Sequence, residues 1–225
     1  TDQIVSLTTA QIKGLSSAQL NALSESQLSS IETADIAALT TTQVAKLATA
    51  SVALLSTDQV VALGTTQVAA MTSAQLNALS ESQLTAVETA DIAALTTAQL
   101  TTGDTTVFTT AHMQALSSAQ VKALTSAQLN ALYEYQLQAI DASDVSAIGT
   151  AVVSAITSDQ LRSMNTAQIA ALRTAQVRSL TTLQVANLAA DQVAALVTAD
   201  VAALSTAQVK ALSSEQLQAM TTSQV

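Results

Sequence analysis

Residues 16–39 divide into three blocks of eight that share one pattern: SSAQLNAL (16–23), SESQLSSI (24–31) and ETADIAAL (32–39). We name the eight positions a to h: a is usually Ser or Thr, d is usually Gln, e is aliphatic, g is usually Ala, and h is almost always Leu, Ile or Met. The pattern runs through almost the whole chain, and Gln occupies d in 21 of 28 units. The exceptions at d are Asp35, Ser51, Asp91, His112, Asp144, Val152 and Asp200. This octad is therefore the unit that decides the fold.

An eight-residue period argues against one continuous helix. Because an α-helix turns by about 100° per residue, the apolar stripe at e and h would rotate by roughly 80° with each octad. In a strand, e and h have opposite parity and would face opposite sides of a sheet. Ala and Gln are also weak strand formers. The β-branched Thr and Val residues nevertheless keep a β-solenoid as the alternative fold.

Each octad carries the start signal of a short helix. Ser or Thr at a and Gln at d have the spacing of a capping box, in which the hydroxyl accepts from the N–H of d and the Gln amide reaches back to the N–H of a. The six residues from b to g make about one and a half turns, too few to be stable alone in water. We therefore predict an elongated all-α solenoid of short capped helices, one per octad, held together by contacts between neighbours.

The candidate residues of this array are structural. Ala at g is expected to let backbones approach closely. In three corresponding octads the predicted caps are Ser16, Gln19, Thr72, Gln75, Thr125 and Gln128. The predicted apolar spine of the same octads is Leu20, Leu23, Leu76, Leu79, Leu129 and Leu132.

A longer repeat lies above the octad. Segment 16–42 is identical to 72–98 at 22 of 27 positions, and weaker copies start near 125 and 181. These spacings are seven octads each, except that one copy lacks three residues, at an irregular octad over 104–108. We predict that residues 1–225 form a single continuous solenoid built by duplication of a seven-octad block. Since the chain starts at Thr1 and stops at Val225 in mid-octad, we expect it to be a fragment of a longer array.

The charge balance restricts the classes of partner. Seven basic against sixteen acidic residues give a net charge of −9. This charge argues against nucleic acid, which a basic surface binds, and against anionic membrane surfaces. No apolar run approaches the eighteen or so residues needed to insert into a bilayer. The chain also has no Cys, so disulfides and Cys-ligated metals are excluded.

No group of residues has the pattern of a catalytic or cofactor site, so we expect the protein not to be an enzyme. His112 stands alone at a d position, where we interpret it as a neutral replacement for Gln. Acidic pairs recur at positions a and d: Glu32 and Asp35, Glu88 and Asp91, and Asp141 and Asp144. We interpret these carboxylates, and Asp200, as favourable groups at helix N-termini. A repeated cation site is the alternative interpretation, but two carboxylates fall short of a calcium ligand set.

Two tyrosines supply the one candidate contact patch. Tyr133 and Tyr135 occupy a and c, where other octads have Ser and Ala, so we expect both rings to lie on the surface. They are either a lateral contact or sugar-stacking site, or a repeat that has drifted from the consensus.

The octads TTTQVAKL (40–47), NTAQIAAL (165–172) and STAQVKAL (205–212) resemble tandem Ala/Thr/Gln-rich octapeptide arrays of large bacterial secreted and surface proteins with adhesin-like labels. The resemblance covers essentially the whole chain. It implies an extracellular, elongated and non-catalytic segment at a bacterial cell surface.

Our leading hypothesis is a rod-like spacer, stalk or filament segment that acts in adhesion or self-assembly. Its expected partners are further copies, through lateral or end-to-end contacts, or other surface components. The alternative hypothesis is a solenoid that binds a glycan or host protein on its extended surface.

Overall fold

The computed structural model describes residues 2–224, with side chains from residue 3 onward. Within that range all regular elements are helical and no strand occurs, so the all-α prediction is confirmed and the β-solenoid alternative is wrong. Thr1 and Val225, where the sequence has incomplete octads, lie outside the described residues. Contacts divide the chain into two compact units, Thr1–Ala115 and Leu116–Val225, and each is described by itself. That the octads form one continuous array stays a prediction.

The first unit contains fourteen short α-helices and one 3₁₀ helix among its described residues. The α-helices are α1 Asp2–Val5, α2 Thr9–Gly14, α3 Ser17–Asn21, α4 Glu25–Leu28, α5 Thr33–Ala38, α6 Thr41–Ala45, α7 Thr49–Ala53, α8 Thr57–Val61, α9 Thr65–Ala70, α10 Ser73–Leu76, α11 Glu81–Ala86, α12 Thr89–Ala94, α13 Thr97–Thr102 and α14 Thr110–Ala115. The 3₁₀ helix spans Thr105–Val107 and lies between α13 and α14.

The second unit, described as far as residue 224, continues the same series with thirteen α-helices. They are α15 Ser118–Ala123, α16 Ser126–Ala131, α17 Glu134–Ala139, α18 Ala142–Val145, α19 Thr150–Ala155, α20 Ser158–Ser163, α21 Thr166–Ala170, α22 Thr174–Ser179, α23 Thr182–Asn187, α24 Ala190–Ala195, α25 Thr198–Ala202, α26 Thr206–Ala211 and α27 Ser214–Ala219.

Where a helix spans positions b to g, as α2 does, two extended residues, h and a, separate it from the next helix. Before α2, the a residue Thr8 has φ −76° and ψ 156°, and after it the h residue Leu15 has φ −66° and ψ 138°. The Leu15 N–H donates to the carbonyl of Ile12, which closes the helix with a short last turn. Between residues 2 and 224 no backbone has a positive φ. The chain therefore reverses without glycine, which explains how only four glycines suffice for this many turns.

The helices stack in turns of the solenoid within each unit. α2 packs against α5 and α6 against α9, and in the second unit α24 packs against α27. Partner helices start 24 residues apart, as at Thr9 and Thr33, whereas side-chain hydrogen bonds reach residues 28 and 31 positions earlier. Each helix therefore lies above the boundary between two earlier octads, namely the third and the fourth octad that precede its own in the sequence. One turn therefore takes about 28 residues, or three and a half octads, and the seven-octad block is two turns.

The spine residues fill the interior, with one correction at the start of the chain. Leu20, Leu76, Leu79, Leu129 and Leu132 are buried, as predicted. Leu23, which we predicted to be buried, is only partly buried. Leu23 belongs to the first described turn, which has no earlier described turn to pack against. From Ile31 onward the aliphatic h residues of the first unit are buried.

The irregular octad keeps the stack intact with fewer residues. The Asp104 carboxylate accepts from the backbone N–H of Thr106 at 2.9 Å and caps the 3₁₀ helix. Phe108 then takes the h position and is buried. α12 still packs against α14 on the far side of the deletion. Phe108 thus fills position h of the shortened octad.

Placing a charge in the spine should destabilise the fold. We expect Leu79→Asp to lower the free energy of unfolding by about 3 kcal/mol or more, because an unpaired carboxylate would be buried among aliphatic residues. The matched control is Leu183→Asp, since Leu183 lies at position c and is 65% exposed; it should change stability by no more than about 0.5 kcal/mol. Equal urea midpoints for Leu79→Asp and the wild type would contradict the inward-facing spine.

Candidate functional site

The predicted capping boxes form as the spacing indicates. The Gln19 Oε1 accepts from the Ser16 N–H at 2.8 Å, and the Ser16 hydroxyl accepts from the Gln19 N–H at 3.2 Å. Thr72 with Gln75 makes the same pair of bonds, and so does Thr125 with Gln128. Each box satisfies two of the backbone donors that a helix N-terminus leaves unpaired.

The amide nitrogen of the same glutamine side chains joins consecutive turns of the solenoid. The Gln75 Nε2 donates to the Val44 carbonyl and to the Leu47 carbonyl, both at 2.8 Å. These acceptors are the e and h residues of the octad four places earlier, 31 and 28 positions back. The bond to the h carbonyl recurs at Gln43, Gln59, Gln67, Gln83, Gln99, Gln160, Gln168, Gln176, Gln184, Gln192, Gln208, Gln216 and Gln224. We call this set the glutamine ladder.

The glutamine ladder satisfies polar groups that burial would otherwise leave unpaired. Gln75 and Gln168 are buried, and in each the Oε1 accepts while the Nε2 donates twice. The h carbonyl is a helix-end acceptor without an intrahelical donor. A buried carbonyl without a partner costs about 1–3 kcal/mol, so the amide stabilises both its own helix start and the helix end beneath it.

Asparagine at position f provides a second link that the sequence pattern did not predict. The Asn21 Nδ2 donates to the Lys46 carbonyl at 2.9 Å, and its Oδ1 accepts from the Ala48 N–H at 2.7 Å. Ala48 lacks a side-chain cap of its own, so Asn21 caps this helix from the preceding turn. Asn130 does the same for Thr157. Recurrence of Asn at the block spacing is the signal that identifies these links.

His112 occupies a d position and uses both ring nitrogens as a glutamine uses its amide. Its Nδ1 accepts from the Thr109 N–H at 3.4 Å, and its Nε2 lies 2.8 Å from the Val87 carbonyl, to which it donates. Val87 is an h residue 25 positions earlier, which is the usual 28 less the three residues deleted nearby. The ring is buried and meets the Phe108 ring edge-on at 5.7 Å. Burial lowers the pKa of His112, and the Val87 carbonyl partly opposes that effect.

Aspartate at d replaces glutamine poorly. Its carboxylate has no donor for the carbonyls beneath it and is one methylene shorter. Asp91 interacts with the Thr65 hydroxyl and Asp144 accepts from the Ser118 hydroxyl, in each case on the preceding turn. The Oδ2 of Asp200 is buried without a hydrogen bond among the described residues. Burial raises the pKa of Asp91, against the effect of Thr65, and the nearby Glu88 carboxylate adds to the rise.

The acidic pairs do not cap helices through their a residues. Glu32, Glu88 and Asp141 make no side-chain capping bond. Within residues 2–224, no three His, Asp or Glu side chains lie close enough together to hold a metal ion.

The same range holds no helix that is long and apolar enough to cross a bilayer.

The two tyrosines form a stacked pair on the surface. Tyr133 and Tyr135 are 59% and 56% exposed, and their ring centroids are 5.6 Å apart with nearly parallel planes. The surface position is the predicted one.

An apolar cavity beside Phe108 measures about 30 Å³, which is room for no more than a water-sized molecule.

Comparison with known proteins yields a repeat family. The family described as ALTTAQ repeat matches six times, at residues 1–30, 28–65, 98–133, 137–174, 166–198 and 193–225. The letters ALTTAQ occur in this chain at residues 94–99, where they join the end of one octad to the capping box of the next. No curated protein matches the chain.

Removing the donor of one ladder glutamine tests the inter-turn bond. We expect Gln75→Glu to lower the free energy of unfolding at neutral pH by about 3 kcal/mol, because a carboxylate would face the carbonyls of Val44 and Leu47. Acid should restore part of the loss, since a protonated Glu can donate. Gln19→Glu is the control, because Gln19 is exposed and its capping role suits Glu. Similar chemical denaturation curves for the two variants would contradict a structural role for Nε2.

Restoring the ladder at an aspartate should stabilise the protein. We expect Asp91→Gln to add about 1–3 kcal/mol at neutral pH, because the new amide reaches the carbonyls of Val60 and Leu63. The pKa of Asp91 is raised in the folded state, so its contribution to stability is present below its ordinary pKa of 3.8 and is lost as pH rises through the folded value. The gain should therefore be larger at pH 7 than at pH 3. Chemical denaturation at both pH values measures this gain in stability. A variant less stable than the wild type at pH 7 would contradict the role of a glutamine at position d in binding the turn beneath it.

Acidification should weaken the fold at His112. Because the pKa of this residue is lowered from 6.5 in the folded state, the unfolded chain takes up a proton first. The stability that the neutral ring contributes is then complete above pH 6.5 and is lost as pH drops from there through the folded value. His112→Gln should remove this part of the pH dependence. Urea unfolding at pH 7.5 and 5 compares the two proteins. An identical pH dependence of their stability would refute the claim that the folded state favours the neutral ring.

Proposed function

The chain belongs to the ALTTAQ repeat family, and we propose that it is a non-catalytic structural module: a rod-like spacer, stalk or filament segment at a bacterial cell surface. The observation that carries the proposal is the glutamine ladder. Among the described residues, at least fourteen glutamines at position d use their amide for the contact with the turn beneath them, as Gln75 and Gln168 do. A chain that repeats one contact with itself fits a structural role, in which it sets length and stiffness, more closely than a catalytic role.

The surface composition supports a role outside nucleic-acid or membrane binding. Position a carries the Ser and Thr hydroxyls of the caps, and the net charge is −9, which opposes binding to nucleic acid and anionic lipid. The extracellular location and the adhesin-like context are part of this proposal, drawn from the resemblance to bacterial surface arrays. Antibody labelling of intact producing cells tests the location, and labelling only after lysis would refute it.

Inserting a whole block tests the spacer role. We expect a second copy of residues 16–71, placed after residue 71, to be accommodated as two extra turns because it preserves the octad register. Insertion of residues 16–43 alone breaks that register and should impair folding. The chain has no Cys, so Thr49→Cys and Thr97→Cys supply unique labelling sites on either side. The distance between labels should grow by equal steps for one and two inserted blocks, and an unchanged distance would refute the spacer.

The tyrosine pair favours a second candidate function, the binding of a glycan. Two exposed stacked rings offer an apolar face of the kind that sugar rings pack against. Titration with oligosaccharides, followed by NMR, should shift the resonances of Tyr133 and Tyr135 first. A Tyr133→Ala, Tyr135→Ala variant that binds equally well would exclude this patch.

A further inference from the structure

The shortened octad leaves part of α11 uncovered. Residues 24–28 and 80–84 have the same sequence, SESQL, yet Leu28 is buried whereas Leu84 is only partly buried. α11 packs against the 3₁₀ helix, which has three residues, whereas the neighbouring α10 packs against α13, which has six. The shorter covering helix thus leaves Leu84 at the edge of a cleft.

This cleft has an apolar floor and a polar, open mouth. The floor is the cavity of about 30 Å³ beside Phe108, and its walls are largely aliphatic. The cavity adjoins a surface groove that contains Glu81, and Asn77, Leu84 and Asp104 line both. Glu81, Asn77 and Asp104 are exposed, whereas Phe108 is buried. A molecule in the cleft would therefore meet polar groups at its outer end and apolar groups at its inner end.

An amide oxygen at the mouth is available to a ligand. The Asn77 Nδ2 donates to the Thr102 carbonyl at 2.9 Å, as the Asn21 Nδ2 does to the carbonyl one block earlier. The Asn21 Oδ1 also accepts from the Ala48 N–H. The Oδ1 of Asn77 accepts no hydrogen bond from the residues that the structure describes, so the irregular octad frees this acceptor.

The charge at the mouth favours a cation. Glu81 and Asp104 place two carboxylates on the groove. The Asp104 carboxylate accepts from the Thr106 N–H but retains further acceptor sites, since a carboxylate has about four lone pairs. Residues 72–115 contain four Asp or Glu side chains and no Lys or Arg. No Lys or Arg of this segment therefore competes for the acceptors.

We propose that the cleft binds a short primary alkylammonium ion, with the ammonium group at the mouth and the alkyl end against Phe108. An ammonium group has three donors and no acceptor, which matches the acceptors of Glu81, Asp104 and Asn77. The cavity has room for about one methyl group. Ethylammonium is the smallest ion that places a methyl group on the floor and its charge at the mouth.

The polarity of the cleft distinguishes a free amine from a lysine side chain of another protein. A free amine enters with its alkyl end first, which brings the ammonium group to the exposed acceptors. A lysine side chain is tethered through its alkyl part and would enter with its charge first, toward the apolar floor. The occupant is therefore a small molecule. This site goes beyond the proposed structural role and does not depend on it.

Titration with ethylammonium chloride at constant ionic strength, followed by NMR of the whole chain, tests the site. The methyl signals of Leu84 and the ring signals of Phe108 should shift and saturate, with a Kd of about 1 mM or weaker because the ligand has only three non-hydrogen atoms. The Leu28 methyl signals should not move. Ethanol lacks the charge and ammonium chloride lacks the alkyl group, so each should bind about tenfold more weakly or less.

Variants with an internal control identify the residues that bind. Glu81→Gln removes one exposed carboxylate and should raise the Kd about threefold, whereas Glu25→Gln, at the same place in the identical SESQL segment, should leave it unchanged. Leu84→Phe fills the floor and should abolish the shifts at Phe108, with circular dichroism to check its fold. Ethanol that binds as tightly as ethylammonium, equal shifts at Leu28 and Leu84, or an unchanged Kd for Glu81→Gln would overturn the proposal.

Discussion

The fold depends on one side-chain amide that works in two directions. The Gln75 Oε1 holds the start of its own helix while the Nε2 holds the end of a helix one turn earlier. A helix of four to six residues is unstable alone, and its ends expose more unpaired backbone groups than its middle satisfies. The amide corrects both deficits at once, because a carboxamide carries an acceptor and two donors in one rigid plane. Few other side chains combine these properties at this length.

This constraint explains which substitutions the array tolerates. His112 preserves an acceptor and a donor on opposite sides of a ring, and it fits even though three residues are missing from the turn beneath it. Aspartate offers acceptors only, so Asp200 is left with an unpaired buried oxygen. At Ser51 the octad loses its own capping glutamine, and Asn21 supplies the cap from the neighbouring turn. The departures at His112 and Ser51 are thus compensated by other hydrogen bonds, whereas the departure at Asp200 is not.

Much of the fold could be predicted from the sequence because the signals are local. The capping box of Ser16 and Gln19 spans four residues, and the inward face of Leu20 follows from the octad. The bond from Gln75 to Leu47 could not be predicted, because it depends on the number of octads in a turn, and a uniform period of eight does not encode that number. The prediction that Leu23 is buried was wrong for the same reason, because the burial of an h residue depends on contact between turns. His112 was interpreted as a neutral substitution, but its second bond, to Val87, depends on the turn length.

The central claim is that buried glutamine amides bind the turn beneath them, and exchange of their side-chain protons tests it directly. In dilute protein, NMR should show slow exchange of the Nε2 protons of Gln67, Gln75 and Gln168, which are buried and hydrogen-bonded. The Nε2 protons of Gln11 and Gln19 should exchange at rates close to those of a free side chain. If all five amides exchanged equally fast, the turns would be held by apolar contacts alone and the ladder would not be the interaction that holds them.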